Sequence, residues 1–334
     1  MYEFERVDFN NIDSNKYNSF ADKSIFTTKE WIRFIEDDSD AEPIIIKILQ
    51  DKGFIGYFSA LAVRKFGIKI IASPFNGWST CFMGFDIHEG SKIEIIPSLS
   101  QYLLNTFKCV YIEIIDRDIS IFQAREKGFI YEPVSTLELA INKSDEDLFK
   151  VFKTDCRNFI RQFERRGAVL EEAIPNEQFA EEYYEQLKDV FAKQGMVPTY
   201  GLEKVKCLLR HLSGTGMLLC LRVRDPEGVS IATSIFVGYN KKFFFWGGSS
   251  LRQYQSYRPN EYMIWYAIRY WRERGFTFFD MVGVREYKRK FGSQEKIYAK
   301  IVIPKYKTLI SLRNLAKKVY FTMLKVKGRI LQRK

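Results

Sequence analysis

Apolar positions along the chain recur with two periods, about 3.6 residues in some segments and 2 in others, and the switch between them predicts alternating helices and strands. In the first half, Thr28 precedes Glu30-Trp31-Ile32-Arg33-Phe34-Ile35. This predicts a helix capped by the threonine hydroxyl. Residues 43–49 predict a strand, Asp51-Lys52-Gly53 a turn, and residues 54–63 the returning arm of a hairpin. Residues 68–72 predict another strand and Gly77-Trp78-Ser79-Thr80 a loop. A helix over 95–107 and a buried strand over 110–115 follow, then a helix over 118–127 with a return at Gly128-Phe129.

The second half repeats this order. Residues 179–194 and 202–212 have helical periodicity. Residues 217–223 and 229–237 predict strands around the turn Asp225-Pro226-Glu227-Gly228. A strand over 242–246 runs into Gly247-Gly248-Ser249-Ser250. Pro259 opens a helix over 259–274 that Gly275 closes, and residues 276–281 predict a strand. The repetition predicts an α/β (α+β) fold made by duplicating one unit with a mixed central sheet. One large mixed α/β domain is the rival reading. The polar stretch at 142–147 is the expected junction, giving a first domain over 1–143, a second over 144–306 and a basic helix over 307–334.

A length of 334 residues with 46% hydrophobic and 28% charged residues suits two globular domains. No apolar run approaches the roughly 18 residues of a transmembrane helix, and Met1-Tyr2-Glu3-Phe4-Glu5 does not resemble a secretory signal. The five cysteines, Cys81, Cys109, Cys156, Cys207 and Cys220, form no CxxC pair, and the two histidines, His88 and His211, lie far apart. A disulfide framework, structural zinc, any other metal and a histidine triad are therefore not expected, and a reducing, cytoplasmic location is. The net charge of +11 is unevenly spread: 12 Lys/Arg and no acid lie in 296–334, leaving 40 Lys/Arg against 41 Asp/Glu in 1–295. A nucleic-acid partner is thus not expected of the body.

Candidate chemistry concentrates in residues 243–292. A helix start at Pro259 presents free N–H groups and the positive end of the helix dipole, and Arg252 and Arg258 add charge there. This suits a phosphate-bearing donor; an ordinary strand-to-helix connection with solvated arginines is the alternative. Asp280, an acid at an apolar strand end, could orient an amine or accept its proton, or be a satisfied structural residue. Tyr287-Lys288-Arg289-Lys290-Phe291-Gly292 predicts a turn that points one lysine inward. Arg157, Arg161 and Arg165 recur every four residues, so one helix face offers guanidinium groups for an anion, or is simply solvated.

These residues carry a resemblance. Arg157-Asn158-x-Ile160-Arg161, Arg166-Gly167, Trp246-Gly247-Gly248, Arg258-Pro259-Asn260, Asp280-Met281-x-Gly283 and Tyr287-Lys288-x-Lys290-Phe291-Gly292 are similar to the Fem/BioF2-like acetyltransferase group of the GNAT superfamily, related to Fem-type peptidyltransferases. Upstream, Trp31, Ser73-Pro74-Phe75 with Gly77-Trp78, and Asp116-Arg117-Asp118 extend the resemblance over about residues 25–300. It implies two tandem GNAT-like domains and transfer of an acyl group from acyl-CoA to an amine, with no metal. It also implies donor binding by Tyr257, Arg258, Pro259, Asn260, Gly247 and Gly248. Asp280 and Lys290 would be catalytic, Asp280 orienting the acceptor and Lys290 contacting the donor or stabilising negative charge. Trp246, Arg157, Asn158, Arg161 and Lys288 would bind substrate. The implied acceptor is a small-molecule or lipid-linked amine, an amino sugar foremost, of cell-surface polysaccharide or metabolite assembly. An aminoacyl-tRNA donor is the alternative; no charged heptad stretch between Gly167 and Phe243 suggests the helical hairpin often carried by such enzymes. A non-catalytic binding module is the third reading.

Residues 310–333 place Leu312, Leu315, Ala316, Val319, Met323, Val326 and Ile330 at helical spacing among lysines and arginines. A basic amphipathic helix suits peripheral contact with the inner face of a membrane; a terminal helix packed on the second domain is the alternative.

Overall fold

The computed structural model describes every residue except Phe66, Asn76, Glu89, Lys193 and residues 332–334. Lys193 falls in the helix expected over 179–194, and 332–334 end the expected basic tail; both lie outside the described residues. In chain order the elements are β1 (Tyr2–Val7), α1 (Ser14–Asn18), α2 (Lys29–Ser39), β2 (Glu42–Gln50), β3 (Gly53–Lys65), β4 (Ile68–Ser73), β5 (Gly84–Ile87), α3 (Lys92–Phe107), β6 (Tyr111–Ile115), α4 (Ile121–Glu126) and β7 (Ile130–Ala140). Then come α5 (Asp145–Val151), α6 (Thr154–Arg165), β8 (Val169–Glu172), α7 (Glu177–Ala192), α8 (Leu202–Leu212), β9 (Leu218–Arg224), β10 (Ser230–Tyr239) and β11 (Lys242–Ser250). A 3₁₀ turn (Arg252–Tyr257), α9 (Pro259–Glu273), β12 (Phe278–Asp280), α10 (Glu286–Arg289), β13 (Gln294–Pro304) and α11 (Thr308–Leu331) complete the chain.

The chain forms two compact units, one of residues 1–135 with 297–316, the other of residues 136–296 with 317–334. This differs from the expected continuous segments at two places. The polar stretch at 142–147 is not a linker: Ser144 caps α5, its hydroxyl accepting from the Asp147 N–H at 3.1 Å. Immediately before it, β7 already pairs with β12 through Glu138↔Asp280 and Ala140↔Phe278. Residues 297–304, expected in the second domain, add an antiparallel strand to β6 with Lys300 opposite Ile115.

The first unit is a mixed sheet in the order β1-β2-β3-β4-β6-β13, with β5 on β3. β4 and β6 run parallel; the other pairs are antiparallel. Thr28 caps α2 as its position predicts, accepting from the Trp31 N–H at 3.3 Å. The apolar face of α3, with Ile95, Ile96, Leu99 and Leu103, packs on Ile44, Ile46, Ile48 and Phe58. Each such buried side chain contributes roughly 1.5–3 kcal/mol. All of β6 is buried, including Glu113. Its carboxylate pairs with Lys300 at 2.7 Å and Arg313 at 3.0 Å, and accepts from the Tyr111 hydroxyl at 3.0 Å. Arg313 also grips Glu132. Burial pulls the Lys300 ammonium below its ordinary range, opposed by Glu113. Two cations facing two carboxylates offset the cost of burying charge, and through Arg313 the first turns of α11 are fixed to this unit.

The second unit is a mixed sheet in the order β7-β12-β11-β10-β9-β8. Only β11 and β12 are parallel within it, among the described strands. From α9, Met263, Ile264, Ala267, Ile268 and Trp271 enter a core with Leu219, Leu221, Val223, Phe236 and Phe243. The rings of Phe243 and Phe279 stack 4.2 Å apart across the parallel pair. Gly275 follows α9 at φ +83°, the left-handed conformation expected of it. Gly247 to Ser250, which lie past the strand expected over 242–246, prolong β11, because β10 carries a matching run that pairs with them to Ala232↔Ser250. β12 is shorter than the strand expected over 276–281. Among the described residues no helix is long and apolar enough to cross a membrane.

Candidate functional site

The two parallel strands part company. Their register ends at Phe244↔Asp280, while β11 continues to Ser250 with β10 alone beside it. Beyond Phe244, therefore, no described strand takes up the other edge of β11. At the parting the register on β10 passes from Ile235↔Gly247 to Phe236↔Phe245, so Trp246 is the extra residue of a bulge. A bulge interrupts the ladder and re-aims the side chain it carries.

Gly247 and Gly248 are required by size. A Cβ on Gly247 would collide with the Tyr183 hydroxyl, and one on Gly248 would lie 2.7 Å from Cζ of Phe245. α7 thus brings Tyr183 onto the bulge, where its hydroxyl meets that of Tyr200 at 2.8 Å. Burial raises Tyr183 well above the ordinary tyrosine value and Tyr200 to about 12, so both stay neutral hydrogen-bonding groups near pH 7. The Trp246 ring lies 5.4 Å from that of Tyr200, and its indole N–H is buried with no hydrogen-bond partner among the described residues.

β11 leads through the 3₁₀ turn into α9. Arg258 occupies the N-cap position at φ +61°, no side chain caps the helix, and Pro259 follows. The first-turn N–H groups are thus left to solvent or a ligand, at the positive end of the helix dipole. Asn260 donates to the Ser250 hydroxyl at 3.1 Å, tying the helix start to the end of β11. Arg166, after α6, donates to the Ser256 carbonyl at 2.5 Å. The Arg258 guanidinium covers the ring of Phe159 at 4.0 Å, and its buried Nε has no hydrogen-bond partner among the described residues. Lys290 approaches the same ring at 5.1 Å and is ion-paired with Glu261 in the first turn of α9. Tyr257 packs on the core below.

At the end of β12, Asp280 is buried, and Oδ1 accepts from the Thr136 hydroxyl and from the Val282 N–H at 2.8 Å. Val282 sits at φ +55°, a conformation costing a β-branched residue about 1–3 kcal/mol. The buried Lys288 holds this turn, donating to the Met281 carbonyl at 2.5 Å and the Val282 carbonyl at 2.6 Å. Lys288 is thus an inward lysine, engaged with backbone, and Lys290 is also largely buried.

The structure therefore gathers Trp246, Gly247 and Gly248 at the bulge, and Arg258, Pro259, Asn260 and Lys290 at the start of α9. It does not gather the arginine face of α6. Arg157 turns back on its own helix, donating to Thr154 at 3.0 Å, while Asn158 and Arg161 are exposed. The residue of that helix that reaches the site is Phe159. Sequence reading also passed over Glu261, Tyr183 and Tyr200. Glu261 had a signal, an acid in the first turn of the helix where a lone carboxylate would attract a cation; the tyrosines had none. Nor is Cys156 a nucleophile: it is wholly buried, and burial raises its thiol to about 12.

Residues 150–289 match the family described as acetyltransferase (GNAT) domain. The structure is similar to that of FemX (TM-score 0.73, 13% identity, 92% of this chain and 99% of that chain covered). It is also similar to the C-terminal domain of a putative lysylphosphatidylglycerol synthetase from Agrobacterium fabrum (TM-score 0.53, 11% identity, 86% and 90% covered). A third relative in fold is a tandem GNAT protein from the clavulanic acid biosynthesis pathway (TM-score 0.51, 8% identity, 92% and 99% covered). Comparison with curated proteins gave no match. The parted strands, the bulge and the uncapped helix that follows thus lie within residues 150–289, the segment that matches the acetyltransferase (GNAT) domain family, in a chain with a Fem/GNAT-like fold.

Proposed function

We propose that the protein is an N-acyltransferase that moves an acyl group from acyl-CoA to an amine. The observation that carries this reading is the free edge of β11 running into the uncapped start of α9. An extended donor rich in amides suits a strand edge with unused backbone groups, which binds by strand-like hydrogen bonding. Its pyrophosphate then meets the N–H groups of α9 and the Arg258 guanidinium, with Tyr257, Pro259 and Asn260 shaping the turn.

In the reaction the amine nitrogen attacks the thioester carbonyl, the C–N bond forms, the C–S bond breaks, and the proton lost by the amine balances the one taken up by the CoA thiolate. Asp280 orients the amine, and Lys290 contacts the donor or stabilises the negative charge that develops. Trp246, on its bulge, lines the acyl end. Lys288 serves by holding the turn beneath Asp280. The acceptor class we favour is an amino sugar or related intermediate of cell-surface or metabolite assembly. The setting we favour is cytoplasmic.

A second reading, an aminoacyl-tRNA donor, draws support from the similarity in fold to FemX. Against it, residues 167–243 fold into β8, α7, α8, β9 and β10, with α7 laid on β10 and β11. Incubation with labelled acetyl-CoA and a panel of amino sugars, followed by mass spectrometry of the products, tests the first reading. Acetylated amine supports it. Transfer that occurs only with aminoacyl-tRNA, and stops on ribonuclease treatment, overturns it in favour of the second.

A further inference from the structure

We infer that α11 is a docking surface for an anionic phospholipid bilayer. Arg313 fixes the helix to the first unit through Glu113 and Glu132. Beyond it the helix stands clear: every residue from 314 to 320 is exposed. Leu312, Leu315, Val319, Met323 and Val326 are between 49% and 65% exposed. Their spacings of three and four residues place them within an arc of about 80° on a helix of 3.6 residues per turn. The centre of that arc is roughly a third of a turn from Arg313, so the apolar stripe is directed away from the anchored side.

The charge around the stripe selects its occupant. Residues 308–334 hold eight Lys/Arg and no acid; Lys318 is exposed on the flank of the stripe, about 100° from its centre, and Lys317 is exposed on the opposite side. Two copies of this helix, joined stripe to stripe, would bring two wholly cationic segments together. A nucleic acid would satisfy the cations and leave the apolar stripe in water. A bilayer with anionic headgroups accepts both at once, apolar side chains entering the headgroup boundary and lysines meeting phosphate. The anchor at Arg313 fixes the first turns of α11 to the first unit. The test of this surface needs no turnover.

The full chain is sedimented with vesicles of phosphatidylglycerol mixed with phosphatidylcholine, and with vesicles of phosphatidylcholine alone. The protein is expected to pellet with the first and to remain largely free of the second. Val319→Glu with Met323→Glu is expected to lower partitioning by roughly tenfold or more, since both the apolar and the electrostatic contribution fall. Lys317→Glu with Lys318→Glu is expected to lower it on anionic vesicles only. All four positions are exposed, so melting temperatures should match the parent. Equal sedimentation of parent and variants, or none by the parent, overturns the inference. So does a dimer that the Val319/Met323 variant disperses, or binding that RNA competes away.

Discussion

The guanidinium of Arg258 lies over the ring of Phe159, 4.0 Å from its centroid. It joins two stretches of sequence that separately read as an arginine-rich helix and a strand-to-helix connection. The aromatic face orders a cation that stands at the uncapped start of α9, and such a contact is worth about 0.5–2 kcal/mol. Phe159→Ala is therefore expected to weaken CoA binding by roughly twofold to thirtyfold. Phe159→Tyr should restore most of it. Titration calorimetry on both variants checks this, and equal affinity in all three proteins would remove Phe159 from the account.

Glu261 holds Lys290 by an ion pair whose two side chains are each 13% exposed. If donor phosphates compete for that ammonium, Glu261→Gln should bind CoA several-fold more tightly, by roughly the 1 kcal/mol of a modest charge contact. A Glu261 that instead served as a base would lower the rate in the same variant and leave affinity unchanged. Measured Kd and kcat separate the two.

Gly247 has no space for a side chain, because the Tyr183 hydroxyl occupies the place of a Cβ. Gly247→Ala should cost about 1–3 kcal/mol of stability, as overpacked sites do. Removing the hydroxyl in Gly247→Ala/Tyr183→Phe should return part of that loss, which denaturant unfolding of the single and double variants would register. Additive losses in the double variant would refute the contact.

Acid should act on the edge strand β8. The Arg222 guanidinium, donating to Glu171 at 2.8 Å, holds the Glu171 carboxyl below its ordinary value of 4.5. A carboxyl lowered in the folded state adds stability that is fully present above 4.5 and is lost as the pH falls through the folded value. With the Glu171 side chain 38% exposed, solvent screens the pair and its contribution stays under about 1 kcal/mol. Glu171→Gln should thus be slightly less stable than the parent at neutral pH, and the gap should close below pH 4.5 in unfolding curves recorded at a series of pH values.

Much of this fold is legible because the decisive signals are local. Thr28, Pro259 and Gly275 each act within one helical turn, and the alternation over residues 43–63 sets a hairpin through its own turn. What escaped depends on partners far along the chain. β7 and β13 find theirs only across the fold: β13 joins β6, which lies some 180 residues earlier, and no periodicity reveals that. Gly247 and Gly248 lie past the strand expected over 242–246, and only their pairing with β10 makes them part of it. On α6, spacing drew attention to Arg157 and Arg161, whereas the contact fell to Phe159, which the arginine spacing gave no reason to single out. Lys288 and Lys290 were distinguishable as inward or outward only by depth, and both point in, one toward carbonyl groups and the other toward Glu261.

The most direct test of the central claim is calorimetric titration of the full chain with CoA and acetyl-CoA, alongside Arg258→Ala. Binding at micromolar strength is expected, weakened by the substitution roughly tenfold or more through the loss of a charge-assisted phosphate contact, with at most the small drop in melting temperature that losing the Phe159 contact brings. No binding by the parent, or equal binding by the variant, would contradict the placement of a phosphate-bearing acyl donor at the start of α9.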